Sequence, residues 1–478
     1  MNLLRRILML GVWCLVVSFV YGQKQSPPNI VMISVDDLNN FIGGMGHPDA
    51  ITPNLDKLIK RGVLFTNAQC QSPMCSPSRT AIMTGVRPST SGIYGMIDDN
   101  DIQDVNPATR KSIFLQQYFK NQGYYTMGVG KIFHNHAPDG MLDESGGRVA
   151  GFGPKPKNNF HWDQKSTSTD WGAFPESDEK MPDYKSAKWA VERLNRNYDR
   201  PFFLSVGFLR PHVPWYVPQK WFDLYDREKI HLPPYLKNDR NDLPSIALEV
   251  DDLPMMPTTD WAIETIQWKD ILHGYLASVS FVDHYIGEVL DALEKSPYAD
   301  NTMVVLWSDH GYRLGEKGTF AKMCLWNSAT AAPLIFSGPC LPRDVKIDVP
   351  VELFSIYPTL TDLCQMPPNP EMEARSMMPL LVAAKATWDY PAITTWARNN
   401  HAICTKDYRY IRYEDGSEEL YVLKTDPNEW YNVAGNKKYK KVKEQLKAFL
   451  PVVNVKWAAA SEYNMNAYFI KQKKEQSE

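Results

Sequence analysis

Four stretches of the chain are apolar almost without a break and then stop abruptly at polar residues. Asn29–Val35 runs into Asp36-Asp37, and residues 125–129 run into Gly130-Lys131 and then His134. Phe202–Phe208 leads to Arg210-Pro211-His212, and residues 303–307 lead to Ser308-Asp309-His310-Gly311. Continuous apolarity rich in β-branched residues predicts strands buried on both faces of a mostly parallel sheet. In such sheets ligands sit beyond the carboxyl ends of the strands, so all four runs deliver their polar ends to one rim.

Helical periodicity fills the intervals. Thr52-Pro53 opens a helix through Leu55, Leu58 and Ile59 that stops at Gly62. Residues 112–121, 183–195 and the long amphipathic stretch 266–293 predict further helices. The fold class is therefore α/β, a mostly parallel sheet flanked by helices. Residues 137–182 and 211–259 are rich in Pro, Gly, Asp and Trp without a period. They read as long loops that either shape a binding site or run over the surface.

After about Pro391 the pattern changes. Residues 402–404, 408–413 and 419–423 read as short strands, the last two joined by the turn Glu414-Asp415-Gly416-Ser417, and residues 438–449 as a helix. The expected division is a main domain over residues 23–390 and a smaller C-terminal α+β domain over residues 391–478, an antiparallel sheet plus helix. Residues 471–478 are expected to be a frayed tail.

Residues 1–22 carry two early arginines, a short apolar run at 7–20 and small residues near Gly22. This is the pattern of a secretory signal peptide, and the run is short for a spanning helix; an uncleaved anchor is the other reading. No other segment approaches membrane-spanning length, so the mature chain is expected in the periplasm or outside the cell. With 52 basic and 55 acidic residues the formal charge is -3, which advertises neither a nucleic-acid groove nor an acidic tail. Setting Cys75 aside, Cys70, Cys324, Cys340, Cys364 and Cys404 remain after cleavage, an odd number without zinc-type spacing. A Cys340–Cys364 disulfide and a set of buried thiols both stay open.

The chemistry centres on Cys75-Ser76-Pro77-Ser78-Arg79-Thr80, closed by Thr84-Gly85. Pro77 suits the first turn of a helix, which places residue 75 at a helix N-terminus, where free N–H groups favour an anion. Arg79, one turn on, lies on the same face with a guanidinium fork suited to two oxygens of a sulfate or phosphate. The plain alternative is a buried thiol beside a surface arginine.

Taken with V-D-D-L, G-V-G-K-I-F-H, R-P-H-V-P, L-A-S-V-S-F-V-D and S-D-H-G-Y-R-L-G-E with Lys322 downstream, this run resembles the type I sulfatases of the alkaline-phosphatase-like superfamily. It is most similar to iduronate 2-sulfatase and its bacterial relatives. The resemblance implies a secreted sulfatase whose Cys75 is oxidised to formylglycine (3-oxoalanine) by a partner, a formylglycine-generating or sulfatase-maturating enzyme. It implies a divalent metal, Ca²⁺ with Mg²⁺ as the alternative, held by Asp36, Asp37, Cys75, Asp309 and His310. Carboxylate oxygens suit such hard cations, whereas imidazole is a poorer ligand, and an Asp-Asp pair can also simply cap a turn. Arg79, Lys131 and Lys322 would surround the sulfate oxygens, His212 would protonate the departing alcohol, and His134 would take a proton from the diol.

The implied substrate is a sulfated polysaccharide or oligosaccharide containing uronic acid, such as a glycosaminoglycan or ulvan. Tyr94, Asp98, Asp99, Trp215 and Tyr216 stand near the motifs as sugar contacts or as loop packing. His47, His136 and His161 read as loop residues near the pocket, and His284 as a helix residue. Two other readings stay open: a phosphodiester or phosphonate monoester hydrolase of the same superfamily, and a non-catalytic glycan-binding protein with unmodified Cys75.

Overall fold

The structure, a computed structural model, describes residues 27–477, so the signal peptide expected at 1–22 and the terminal Glu478 lie outside the described residues. No helix among them is long and apolar enough to cross a membrane.

The four apolar runs lie side by side as parallel strands in the order Thr302–Ser308, Asn29–Val35, Phe202–Phe208, Tyr125–Gly130. Strands the apolar pattern did not single out complete the sheet, which among the described residues has nine. Glu144–Gly147 extends it in parallel beyond Tyr125–Gly130. On the other side Ala331–Ser337 pairs antiparallel, followed by Gly62–Gln69 and Val345–Ile347, with Val351–Glu352 pairing the end of Gly62–Gln69.

Alternate side chains of each central strand serve two cores. Val31, Ile33 and Val35 join the core beneath the helices Pro53–Lys60, Pro182–Leu194 and Trp268–Lys295. Ile30 and Met32 join the core beneath Cys75–Thr84, Leu115–Asn121 and Ile356–Leu363. Burial on both faces is why these strands read as unbroken apolar runs. The 28-residue helix Trp268–Lys295 turns Ile271, Tyr275, Val279, Val282, Ile286 and Val289 to the core at three- and four-residue spacing.

The helix expected from Thr52 to Gly62 spans Pro53–Lys60, and its ends differ from expectation. Thr52 occupies the N-cap position, but its hydroxyl accepts from Gly43 N–H and donates to Asp56. The cap comes instead from Asp283 in the long helix, whose carboxylate accepts the N–H groups of Leu55 at 2.7 Å and Asn54 at 3.2 Å. Gly62 is not a helix stop: the helix ends at Arg61, and Gly62 begins a strand where a Cβ would lie 2.1 Å from the Phe336 carbonyl oxygen.

A second, four-stranded antiparallel sheet comprises Ala392–Thr395, His401–Cys404, Tyr408–Arg412 and Glu418–Val422, covered by the helix Lys440–Lys447. The frayed tail is corrected. Ala467–Ser477 is a helix whose Phe469 is buried against Trp396 and Trp457, with the Gln472 amide donating to the Arg398 carbonyl. The two long loops carry short strands of their own, Trp171–Ala173 and Trp215–Val217, paired in parallel. All six described cysteines are free thiols, Cys340 and Cys364 included, so the disulfide is not formed.

Candidate active site

The acidic residues, His310 and Lys131 sit where parallel strands end. Asp36 and Asp37 follow Asn29–Val35, and Asp37 turns the chain in the left-handed region (φ 61°), a conformation that aspartate tolerates better than most residues. Asp309 and His310 follow Thr302–Ser308, and Lys131 follows Tyr125–Gly130. Gly130 and Gly207 let two strand ends cross tightly: a Cβ on Gly207 would lie 2.2 Å from the Lys131 backbone. Cys75 is the first residue of the helix Cys75–Thr84, which the left-handed Gly85 closes.

These residues converge. Oxygen atoms of Asp36 and Asp37, Cys75 Sγ and a His212 ring nitrogen lie within 4.8 Å of one another, as do the ligand atoms of Cys75, Asp309 and His310. Lys322 Nζ is 3.0 Å from Cys75 Sγ and 2.6 Å from Asp37 Oδ1, and Lys131 Nζ donates to Asp36. His310 gives its Nδ1–H to the Gly311 carbonyl, so Nε2 faces the cluster, 3.4 Å from Cys75 Sγ. His212 likewise donates Nδ1–H to the Val213 carbonyl and points Nε2 at Asp37 Oδ2, 3.9 Å away. His134 is half-buried, lies close enough to Cys75 to favour its thiolate, and keeps a buried Nδ1 with no partner among the described residues.

The electrostatics follow from this packing. Burial alone would push the Cys75 thiol up, but Lys131, Lys322 and His310 outweigh it and hold the thiol well below its ordinary value. Burial and Cys75 push the Asp36 carboxyl up, yet Lys131, His212 and Arg79 keep it far below the usual carboxylate range. Burial raises Asp309, and Asp309 in turn raises His310 against the effect of burial.

The residues present fit a hard divalent cation. Asp36, Asp37 and Asp309 are fully buried carboxylates set around Cys75, the first two in one cluster of possible ligands and Asp309 with His310 in a second that shares Cys75, and Asp37 Oδ2 has no hydrogen-bond partner among the described residues. Such a set is what Ca²⁺ or Mg²⁺ requires, with His310 Nε2 as the softer member.

Arg79 departs from expectation. Its guanidinium is fully buried and already engaged: Nε donates to Asp309 at 2.9 Å, Nη2 to Asp36, and Nη1 to the carbonyls of Lys131 and Ile132. It clamps the carboxylates instead of presenting a free fork to a sulfate. The aromatic sugar contacts are also corrected. Tyr94, Trp215 and Tyr216 are at most 1% exposed, with Tyr94 Oη on the Val455 carbonyl and Tyr216 Oη on Asp170. Asp99 is buried and accepts the N–H groups of Asn135 and His136, which steadies the loop bearing His134. Asp98 is exposed and caps the short helical turn Asp99–Asp104.

Of the remaining histidines, His136 bridges the Gly130 carbonyl and Ser145. His161 stacks on Trp171, and His47 lines a separate cleft of about 440 Å³. His284 lies on the long helix, as expected.

Supporting residues escaped the sequence reading. Tyr275 Oη donates to the Asp37 carbonyl and accepts from Asn39, Ser78 Oγ donates to the Asp309 carbonyl, and Ser34 Oγ donates to the Lys131 carbonyl. Tyr275 immediately precedes the L-A-S-V-S-F-V-D motif. That motif is structural, since its Asp283 caps a helix and its Ser280 donates to the Ile51 carbonyl.

Comparison with known proteins agrees with the geometry. The sulfatase family model matches residues 28–366, and the model for the C-terminal part of N-sulphoglucosamine sulphohydrolase matches residues 315–456. The chain is 55% identical over 487 residues to a sulfatase of Formosa agariphila, covering 98% of this chain and 96% of that protein. It is 31% identical over 427 residues to mouse (Mus musculus) iduronate 2-sulfatase, covering 76% and 74% respectively. The phosphonate monoester hydrolase of Agrobacterium radiobacter shares the fold, with a TM-score of 0.70 at 19% identity over 88% of this chain and 95% of that one. The alkaline-phosphatase-like sheet, the cluster at its rim and the two family matches lead to one conclusion: this chain belongs to the sulfatase family, whose members hydrolyse sulfuric esters.

Proposed function

We propose that the protein is a formylglycine-dependent sulfatase that removes sulfate from a glycan containing uronic acid. The observation that carries this reading is the position of Cys75. Its Sγ lies at a helix N-terminus beside Lys322, His310 and Asp37, within a nest of three buried carboxylates. A structural thiol has no use for those surroundings, whereas a reacting group that carries and receives anionic oxygen does.

Oxidised to formylglycine and hydrated, residue 75 would supply a geminal diol; Asp36, Asp37, Asp309 and His310 would hold a Ca²⁺ or Mg²⁺, whose charge would favour the ionised form of that diol. Lys131 and Lys322 offset charge on the sulfate oxygens. Arg79 positions Asp36 and Asp309. His212 Nε2 faces the centre and delivers a proton to the departing alcohol oxygen, and His134 accepts a proton from residue 75.

The likeness to iduronate 2-sulfatase supports a uronate-containing substrate such as a glycosaminoglycan or ulvan fragment. The pattern of residues 1–22 supports export to the periplasm or beyond, where such glycans occur. Maturation requires a formylglycine-generating or sulfatase-maturating partner. The test is sulfate release, followed by ion chromatography, from a 2-sulfated hexuronate disaccharide alongside hydrolysis of a phenyl phosphonate monoester. Preferential sulfate release is expected; preference for the phosphonate would overturn the reading.

A further inference from the structure

The parallel edge strand Glu144–Gly147 ends on the same rim as Tyr125–Gly130, so the next residue, Arg148, leaves the sheet beside the strand end that carries Lys131. The chain then winds tightly. Gly147, Val149, Ala150, Gly151 and Gly153 have φ of 72, 57, 55, 55 and 84°, and two of these five carry a Cβ in the strained left-handed region. The buried Arg210 pins this coil by donating Nη2–H to the Phe152 carbonyl at 3.3 Å.

The coil puts three side chains in a row. The Arg148 guanidinium lies 5.9 Å from the Phe152 ring centre, and that ring lies 5.3 Å from the imidazole of His212, which faces the catalytic cluster. Arg148 makes no hydrogen bond and no ion pair among the described residues, although it is half-buried. The fully buried arginines behave differently: Arg79, Arg313 and Arg409 are each ion-paired, and Arg210 is hydrogen-bonded. Burial lowers the Arg148 pKa, with Arg79 acting in the same direction and Asp36, Asp183 and Cys75 opposing it. A half-buried guanidinium whose neighbour is an aromatic face and not an anion is only partly compensated, and a ligand anion would complete it. A planar fork of N–H donors is also the geometry that grips a carboxylate or sulfate through two oxygens.

We propose that Arg148 binds a second anionic group of the substrate, a carboxylate or further sulfate on the sugar, distinct from the sulfate being cleaved. Its place beside His212 puts it on the side of the departing alcohol, where the sugar lies. The inference rests on the sulfated-sugar reading above and makes Arg148 a specificity residue for it.

The test compares wild type, Arg148→Gln and Arg148→Lys on four probes: 4-nitrophenyl sulfate, a neutral hexose 2-sulfate, a hexuronate 2-sulfate and a disulfated hexosamine. Arg148→Gln should lower kcat/KM on a probe with a second anion by about 10- to 100-fold, mainly through KM, with partial rescue in Arg148→Lys. Turnover of 4-nitrophenyl sulfate and the neutral sugar should stay within about twofold, which also reports an intact fold. A loss confined to the hexuronate identifies a carboxylate; one confined to the hexosamine identifies a sulfate. Equal loss on all four probes, or loss on none, overturns the proposal. Wild-type enzyme inactive on every sugar probe would remove the sulfated-sugar reading itself, and this inference with it.

Discussion

Lys322 ties the nucleophile position to the carboxylate cluster, its Nζ lying 3.0 Å from Cys75 Sγ and 2.6 Å from Asp37 Oδ1. The thiol and the carboxylate are thus held by one cation that comes from the loop after the Thr302–Ser308 strand. Replacing it by methionine keeps the length and removes the charge. Lys322→Met should lower kcat by about 10²- to 10³-fold, the cost of losing one preorganised donor from a water-poor site. Steady-state kinetics on the matured enzyme check this, with the loss expected in kcat more than in KM.

Arg79 holds the site together from beneath. Arg79→Met would remove one donor from each of two buried carboxylates and two backbone carbonyls. Breaking a buried ion pair of this kind costs about 3–5 kcal/mol, so urea unfolding should shift markedly, together with loss of activity. Unchanged stability would show that the clamp has no structural weight.

His212→Ala separates proton delivery from the rest of the chemistry. Alkyl sulfates need a proton on the departing oxygen, whereas 4-nitrophenyl sulfate departs as a stable anion. The variant should lose about 10²- to 10⁴-fold on a sugar sulfate and far less on 4-nitrophenyl sulfate. Equal losses would remove the acid role from His212.

Three buried carboxylates gathered around residue 75 predict dependence on a divalent cation. Exhaustive chelation should abolish activity and lower Tm. Added Ca²⁺ should restore both, and Tm should rise further with Ca²⁺ concentration because only the folded chain gathers the ligands. A Tm indifferent to chelator and Ca²⁺ would contradict the assignment.

Asp283, the helix cap supplied from a distant helix, gives a pH signature away from the site. Burial raises its carboxyl to about 6 against the backbone N–H groups of Leu55 and Asn54 that pull it down. A carboxyl raised in the folded state binds a proton more readily there than when unfolded. Its contribution is full below the unfolded value and is lost as pH rises through about 6. The stability of wild type relative to Asp283→Asn should therefore fall between pH 5 and 7, by an amount on the order of 1–2 kcal/mol. Unfolding of both proteins across that range checks the sign.

The central strands were legible because burial on both faces leaves uninterrupted apolar runs such as Asn29–Val35, with polar residues only where the strand meets the rim. The edge strand Glu144–Gly147 was not, since its sequence E-S-G-G carries no apolar signal and it is held by backbone pairing and by the ion pairs of Glu144 with Arg193 and Arg196. The helix Ala467–Ser477 escaped because it lacks an amphipathic period and docks through Phe469 and Gln472.

At the site, the residues that meet around Cys75 were all legible from motifs. What sequence does not carry is which side chains are already occupied. Arg79 looked free and is engaged on every side, whereas Arg148, in a G-G-R-V-A-G stretch without a motif, has a guanidinium that faces the Phe152 ring and no anion among the described residues. Trp215 and Tyr216 share a residue type with sugar platforms but fill the core beneath the site.

The account depends on residue 75 working as an oxidised thiol. The most direct measurement is mass spectrometry of the peptide spanning Cys75, from protein made in its own host, alongside sulfate release by the same preparation. The account predicts a species about 18 Da below the cysteine form, with activity proportional to its fraction. Full activity from a preparation containing only unmodified Cys75 would contradict it.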